Sequence, residues 1–228
     1  MSVRQVAIVL VLAGAAWVAC QQLPLPLPKR GGRRKGAGRP RKHPHPGLRG
    51  PGVPHLKRAE IAPRHPVHVT MRVQPGVGYL RAYQRAKLLE DAFREARLRF
   101  GMRIVHYSIQ GNHLHVIVEV DDTVSLSRGV QGLAVRIARR LNALIRRRGA
   151  VFVDRYHAHA LRTRREVAHA VRYVLGNYRH HTREYLPPRW DDPYSSSRFL
   201  RAAPKSDAPV MPPRTWLLRI GGRELARI

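Results

Sequence analysis

Cysteine is nearly missing: the lone thiol, Cys20, excludes an intramolecular disulfide and a cysteine-built zinc cluster in this 228-residue chain. Acidic residues are scarce too. Fourteen Asp and Glu face forty-three Lys and Arg, leaving a formal charge of +29. That imbalance excludes a neutral enzyme exterior. Its field gathers polyanions, and because the excess is spread along the chain, nucleic acid is the expected partner. Long apolar runs are lacking as well. The longest, Val6 to Cys20, has fifteen residues behind Arg4, which is short for a spanning helix but suits the apolar part of a signal peptide. Residues 1–28 are therefore set apart as an apolar leader or a misassigned start, with a cytoplasmic location and no stable membrane association expected. Val18-Ala19-Cys20 resembles a lipoprotein cleavage site, which keeps an exported basic lipoprotein as a remote alternative.

Residues 29–64 form a basic Pro/Gly-rich arm with too little apolar content to pack, read as disordered. Lys29 to Arg49 carries nine Lys/Arg and no acid. Within it, Arg39, Arg41 and Lys42 resemble an AT-hook core, and phosphate contacts by these residues are expected.

Ordered structure is expected over 65–186. Val67, Val69, Met71 and Val73 alternate with His68, Thr70 and Arg72 as a strand. Leu80 to Phe100 reads as a helix with a stripe of Tyr83, Ala86, Leu89, Phe93, Ala96 and Phe100, stopped by Gly101. Arg103–Gln110 and His113–Val120 read as two strands of a hairpin turned at Gly111-Asn112. A second helix capped by Ser127 follows, with Val130, Leu133, Ile137, Leu141 and Leu144 inward. Arg136, Arg139, Arg140 and Arg147 lie on its other face, suited to a phosphate backbone. Val151–Leu161 reads as a strand and Arg164–Thr182 as a third helix. Residues 187–228 form a loop-rich extension with an apolar piece at Trp216–Ile220. This order predicts an α+β fold, a ferredoxin-like sandwich with helices packed on an antiparallel sheet.

Period-two alternation places His113 and His115 side by side on one strand face, opposite Leu114 and Val116. The hairpin register sets Gln110 across from His113 and Ser108 across from His115, so that face is polar. Two adjacent imidazoles offer two nitrogen ligands to one metal ion. On the third helix, Val167, Val171, Val174 and Tyr178 form the apolar stripe. His169, Tyr173, Asn177 and His180 fall nearly opposite it. If the two polar faces meet, His113, His115 and the Asn177 oxygen can hold a divalent ion, and the Tyr173 oxygen can attack a phosphodiester. A free phenol titrates at about 10, so its proton must be removed or stabilised; His169 could assist.

Gly111-Asn112-His113-Leu114-His115-Val116-Ile117-Val118 resembles the His-hydrophobic-His motif of the HUH nucleases. Arg172-Tyr173-Val174-Leu175-Gly176-Asn177 resembles the Tyr-x-x-x-Asn helix of single-tyrosine transposases, in particular the REP-associated tyrosine transposases. The resemblance covers about His65 to Tyr185 and includes the Gly-Arg-rich arm. It implies cleavage and rejoining of single-stranded DNA beside a hairpin, with Mg2+ or Mn2+ and a 5′-phosphotyrosine intermediate. His113, His115 and Asn177 would be the metal ligands, Tyr173 the nucleophile, and a monomer is favoured over a homodimer. Two departures stand out: the apolar leader, and Asn177-Tyr178 where the family often has Asn-Pro.

Three His-x-His triplets occur among thirteen histidines. His43-Pro44-His45 lies in the arm. His157-Ala158-His159 is a rival but lacks a bulky central residue to anchor its strand. Among the tyrosines, Tyr107 with Val105 and Ile109, and Tyr178 on the helix stripe, read as core, whereas pattern does not exclude Tyr156 or Tyr185. A decayed relative that only binds hairpin DNA or RNA is the second reading.

Overall fold

The computed structural model describes residues 58–182, 185–187, 190–199 and 207–225. The leader and the arm's Arg39, Arg41 and Lys42 lie outside the described residues, as do His43 and His45. The elements are β1 (Val67–Arg72), α1 (Tyr83–Ala96), β2 (Leu98–Arg99), β3 (Met102–Ile109), β4 (His113–Val120), α2 (Thr123–Leu144), β5 (His157–Ala160), α3 (Arg164–His181) and α4 (Trp216–Leu225). The strands form a sheet in the order β2-β3-β4-β1-β5, with every pairing antiparallel. Setting aside the two-residue β2, this is the ferredoxin-like α+β order that the chain's pattern predicts.

Both sheet faces are used. Leu114, Val116, Val118 and Val120 of β4 join Leu89 and Phe93 of α1 and Leu126, Val130, Leu133 and Ile137 of α2 in the main core. Ile117, on the alternate face of β4, packs with Val167, Val171 and Val174 of α3 and Leu218 of α4 in a second cluster. The apolar piece near the C-terminus thus does pack back on the domain. Because α1 and α2 cover one face and α3 the other, the polar residues of β4 lie in the α3 layer.

Several elements differ from their expected form. Helix α1 is shorter at both ends. Tyr83 is exposed, and Phe100 and Gly101, with φ of 55° and 73°, make the two-residue turn between β2 and β3. Two successive positive φ values are what such a hairpin turn demands. In β3 the register breaks between Ile104 and His106. This bulge turns Val105 into the second cluster while Ile104, Tyr107 and Ile109 stay in the main core, so Val105 does not share Tyr107's face.

The cap of α2 is Asp122, whose Oδ1 accepts from Ser125 N at 2.6 Å; Ser127 sits inside the helix and donates to Thr123 O. Leu144, expected inside, is exposed. The strand expected over 151–161 is two pieces. Phe152 bridges Val73, then Asp154 accepts from Arg155 N and bends the chain before β5 begins. Helix α3 starts where Thr163 Oγ1 accepts from Glu166 N and Glu166 Oε2 accepts from Arg162 N.

The described part of the C-terminal extension makes specific contacts with the domain. Arg81 makes a two-pronged buried pair with Asp192 at 2.9 and 3.0 Å and donates to Ile109 O. Its guanidinium lies 3.6 Å from the Tyr178 ring centre, and Tyr178 in turn stacks on Trp190. Tyr178 is thus partly buried in a cation–aromatic stack rather than in the core stripe. With no proline after Asn177, the helix continues to His181. Among the described residues no helix is long and apolar enough to cross a membrane.

Candidate active site

The hairpin register is the expected one: Ser108 pairs with His115, and Gln110 N donates to His113 O at 2.9 Å. His113 and His115 stand as neighbours on the polar face, their ring centres 4.7 Å apart and their planes perpendicular. Asn112 Oδ1 lies 2.8 Å from His113 Nδ1. Because a carbonyl oxygen can only accept, this contact is a hydrogen bond when His113 carries its proton on Nδ1.

Helix α3 brings Tyr173 to this pair. The Tyr173 ring meets that of His115 edge-on, with centres 5.2 Å apart. Tyr173 is 43 % exposed, so its phenol is held by packing yet reachable by a large substrate. Among the described residues it is the tyrosine whose ring packs on His115. Tyr107 is buried against Phe93 and donates to Glu90 Oε1, and burial first, then that carboxylate, pushes its phenol far above the usual range. Tyr156 is covered by the Arg58 guanidinium, and Tyr185 is 89 % exposed. His169 is exposed on α3.

Asn177 departs from expectation. At about 100° per residue it falls only about 20° from Ala170, on the edge of the buried stripe rather than opposite it. It is fully buried, and among the described residues neither Oδ1 nor Nδ2 has a hydrogen-bond partner. Such an amide costs about 1–3 kcal/mol. Imidazole nitrogen and amide oxygen are ligand types that suit a divalent cation, and Tyr173, one turn from the amide, meets the His115 ring. Among the described residues no group of three His, Cys, Asp or Glu side chains is arranged to hold a metal. The donors here are neutral, which would leave a cation's charge available to an anionic oxygen.

Sequence reasoning missed His68. On β1 it sits opposite Ile117, next to the Thr70–His115 pair. Its Nε2 is 3.0 Å from His115 Nδ1, and Thr70 Oγ1 is 3.2 Å from the same nitrogen. The His68 ring is also edge-on to Tyr173 at 6.1 Å. Burial first, then the imidazoles of His157 and His159 on β5, lower its pKa to about 4, so it is neutral at pH 7. The signal was present in the alternation of β1, but only the β1–β4 pairing reveals its neighbour.

A family model described as transposase, IS200-like, matches residues 63–177, just over half of the 228 residues, and ends at Asn177. The chain belongs to the IS200-like transposase family. This transposase shares its fold with a REP-associated tyrosine transposase solved bound to a REP hairpin, at 16% identity and a TM-score of 0.53 over 64% of this chain and 84% of that one. A candidate transposase from Deinococcus radiodurans R1 is similar at 15% identity and a TM-score of 0.37, over 55% of this chain and 95% of that one. No curated protein matches.

As a transposase the protein acts on DNA, and the arginines expected to meet phosphates are dispersed. All four on or after α2 lie in the layer across the sheet from Tyr173. Glu95 of α1 takes both Arg136 and Arg140, supplying the acid that α2 itself lacks. Arg147 donates to Ala150 O, while Arg139 is exposed. On the histidine face, Arg72 pairs directly across from His113 and is exposed. Glu119, which shares this strand face, accepts from Arg214 N and Thr215 N at the start of α4 and has a structural task.

Proposed function

We propose that this transposase cleaves and rejoins single-stranded DNA beside a hairpin, with Tyr173 as nucleophile and a divalent cation, Mg2+ or Mn2+, on His113, His115 and Asn177. The observation that carries this reading is the packing of Tyr173 on His115, the neighbour of His113, one turn from a buried amide without a partner among the described residues. Further support comes from the fold shared with a REP-associated tyrosine transposase bound to a REP hairpin.

Tyr173 gives up its phenolic proton, and its oxygen forms a bond to phosphorus. The bond from phosphorus to the upstream 3′ oxygen breaks, and that oxygen takes up a proton to leave as a 3′-hydroxyl. The DNA 5′ end remains on the tyrosine as a phosphodiester, so attack by a 3′-hydroxyl can reverse the step and join strands. A cation bound there would draw charge from the phosphodiester oxygens. His115, buried and packed edge-on against Tyr173, keeps the ring in one orientation, while the ring's open side admits the strand. We take a monomer as the working unit, since Tyr173 packs on His115 of its own chain.

The test is a denaturing gel with a single-stranded, hairpin-bearing DNA. A covalent protein–DNA adduct is expected with Mg2+ or Mn2+, and none with chelator or in Tyr173→Phe. An adduct that persists in Tyr173→Phe removes the nucleophile from this assignment. Salt-dependent hairpin binding by wild type without any adduct would mark a protein that only binds.

A further inference from the structure

We propose that His68 is a positioning residue for the cation site: its Nε2 accepts the Nδ1–H of His115 and leaves the His115 Nε2 lone pair for a divalent cation. This rests on the metal-site reading above and adds to it a residue that the two motifs do not contain.

The Nε2–Nδ1 separation of 3.0 Å is a hydrogen bond between two ring nitrogens, and such a bond holds one proton. If His68 supplied it, His115 would carry its own proton on Nε2, and that nitrogen could not ligate. If His115 supplies it, the His68 proton sits on Nδ1 and His115 offers Nε2 outward. The second arrangement matches His113 with its proton on Nδ1 toward the Asn112 carbonyl oxygen at 2.8 Å. Thr70 Oγ1 at 3.2 Å can donate or accept and by itself decides nothing. His68 Nε2, at 3.0 Å, is a nitrogen acceptor placed at His115 Nδ1. Imidazole ligands of metals commonly use their second nitrogen in this way, and losing that partner costs on the order of 10- to 100-fold in metal affinity.

Sheet register explains how His68 reaches the site. Thr70 is directly opposite His115, and His68, two residues earlier on the same face, is its diagonal neighbour, a separation that aromatic rings can span. The two rings lie with centres 5.1 Å apart and planes inclined at 36°. Tyr173 packs edge-on against both. His68 thus braces the imidazole from the side away from His113 and limits its rotation.

Two measurements on the full chain test this. Long-range proton–nitrogen NMR of the metal-free protein is expected to show His115 protonated on Nδ1; protonation on Nε2 overturns the proposal. Mn2+ titration followed by electron paramagnetic resonance, without DNA, is expected to show affinity about 10- to 100-fold weaker in His68→Leu. Recovery is expected in His68→Gln, whose amide oxygen can accept the same proton. Wild-type binding with an unaffected His68→Leu variant overturns this inference alone. Absence of Mn2+ binding by the wild type overturns the metal-site reading and this one together. Should His68→Leu fail to fold, the wild-type tautomer and the His68→Gln titration still decide.

Discussion

Tyr173 and Asn177 lie one turn apart on the same helix, yet Tyr173 is 43 % exposed and Asn177 is fully buried. The helix edge divides them, with the phenol toward solvent and the amide in the buried layer. Their pairing is therefore asymmetric, with one group open to solvent and the other enclosed.

Asn177 is expected to cost stability. Its amide has no partner among the described residues, and an unsatisfied buried group is worth about 1–3 kcal/mol. Asn177→Leu, similar in volume and apolar, should raise the melting temperature by about 2–4 °C per kcal/mol recovered. The same variant should lose the metal-dependent DNA adduct. A lower melting temperature would show that the amide is satisfied in the folded protein.

The Arg81–Asp192 pair should behave as a buried clamp. Its side chains are almost wholly inaccessible, and Arg81 also holds Ile109 O, at the end of the strand that leads into the histidine hairpin. Asp192→Asn leaves a buried guanidinium without its counter-charge and should destabilise by about 3–5 kcal/mol in denaturant titrations. A loss below about 1 kcal/mol, the range of an exposed pair, would refute the clamp.

Acid should destabilise the fold through His106. Burial lowers its pKa from 6.5 to about 4, and its described contact is Ser196 Oγ. Between those values the unfolded chain binds the additional proton. Stability is thus complete above about pH 6.5 and falls as pH drops toward 4, by on the order of 3 kcal/mol for this group. His68, lowered to about 4 as well, contributes in the same direction. His106→Gln should therefore reduce the slope of stability against pH in that window without abolishing it. An unchanged slope would place the proton elsewhere.

Gly129 sets how closely α2 approaches β3. A Cβ there would lie 2.6 Å from Met102 Cβ and 2.7 Å from its sulfur. Alanine gains about 1 kcal/mol in helix propensity. Overpacking costs about 1–3 kcal/mol, and the near contact is a Cβ, which cannot swing away. Gly129→Ala is expected to lower stability by about 1–2 kcal/mol in thermal melts; a stabilised variant would show that the helix can shift outward freely.

Much of this was legible because it depends on local periodicity. Alternation along β4 assigned its two faces, and Gly111-Asn112 set the register that pairs Ser108 with His115. The His-x-His and Tyr-x-x-x-Asn spacings likewise survive in any fold that keeps the strand and the helix intact. What failed locally has local causes. Asp122 outcompeted Ser127 for the cap, and Asp154 broke a strand that apolar content alone would have continued.

The sequence by itself determined the alternation that puts two imidazoles on one strand face, the 3.6-residue turn that links Tyr173 to Asn177, and the net charge of +29 that favours a polyanionic partner. The tertiary structure alone decided that Asn177 lies on the buried edge of its helix, that Glu95 takes Arg136 and Arg140, and that His68 reaches His115. The physical reason is range. Backbone periodicity fixes which face a residue occupies within its own element, whereas burial, counter-charges and the proton between two rings depend on residues from distant parts of the chain that meet only when the sheet and its two helical layers assemble.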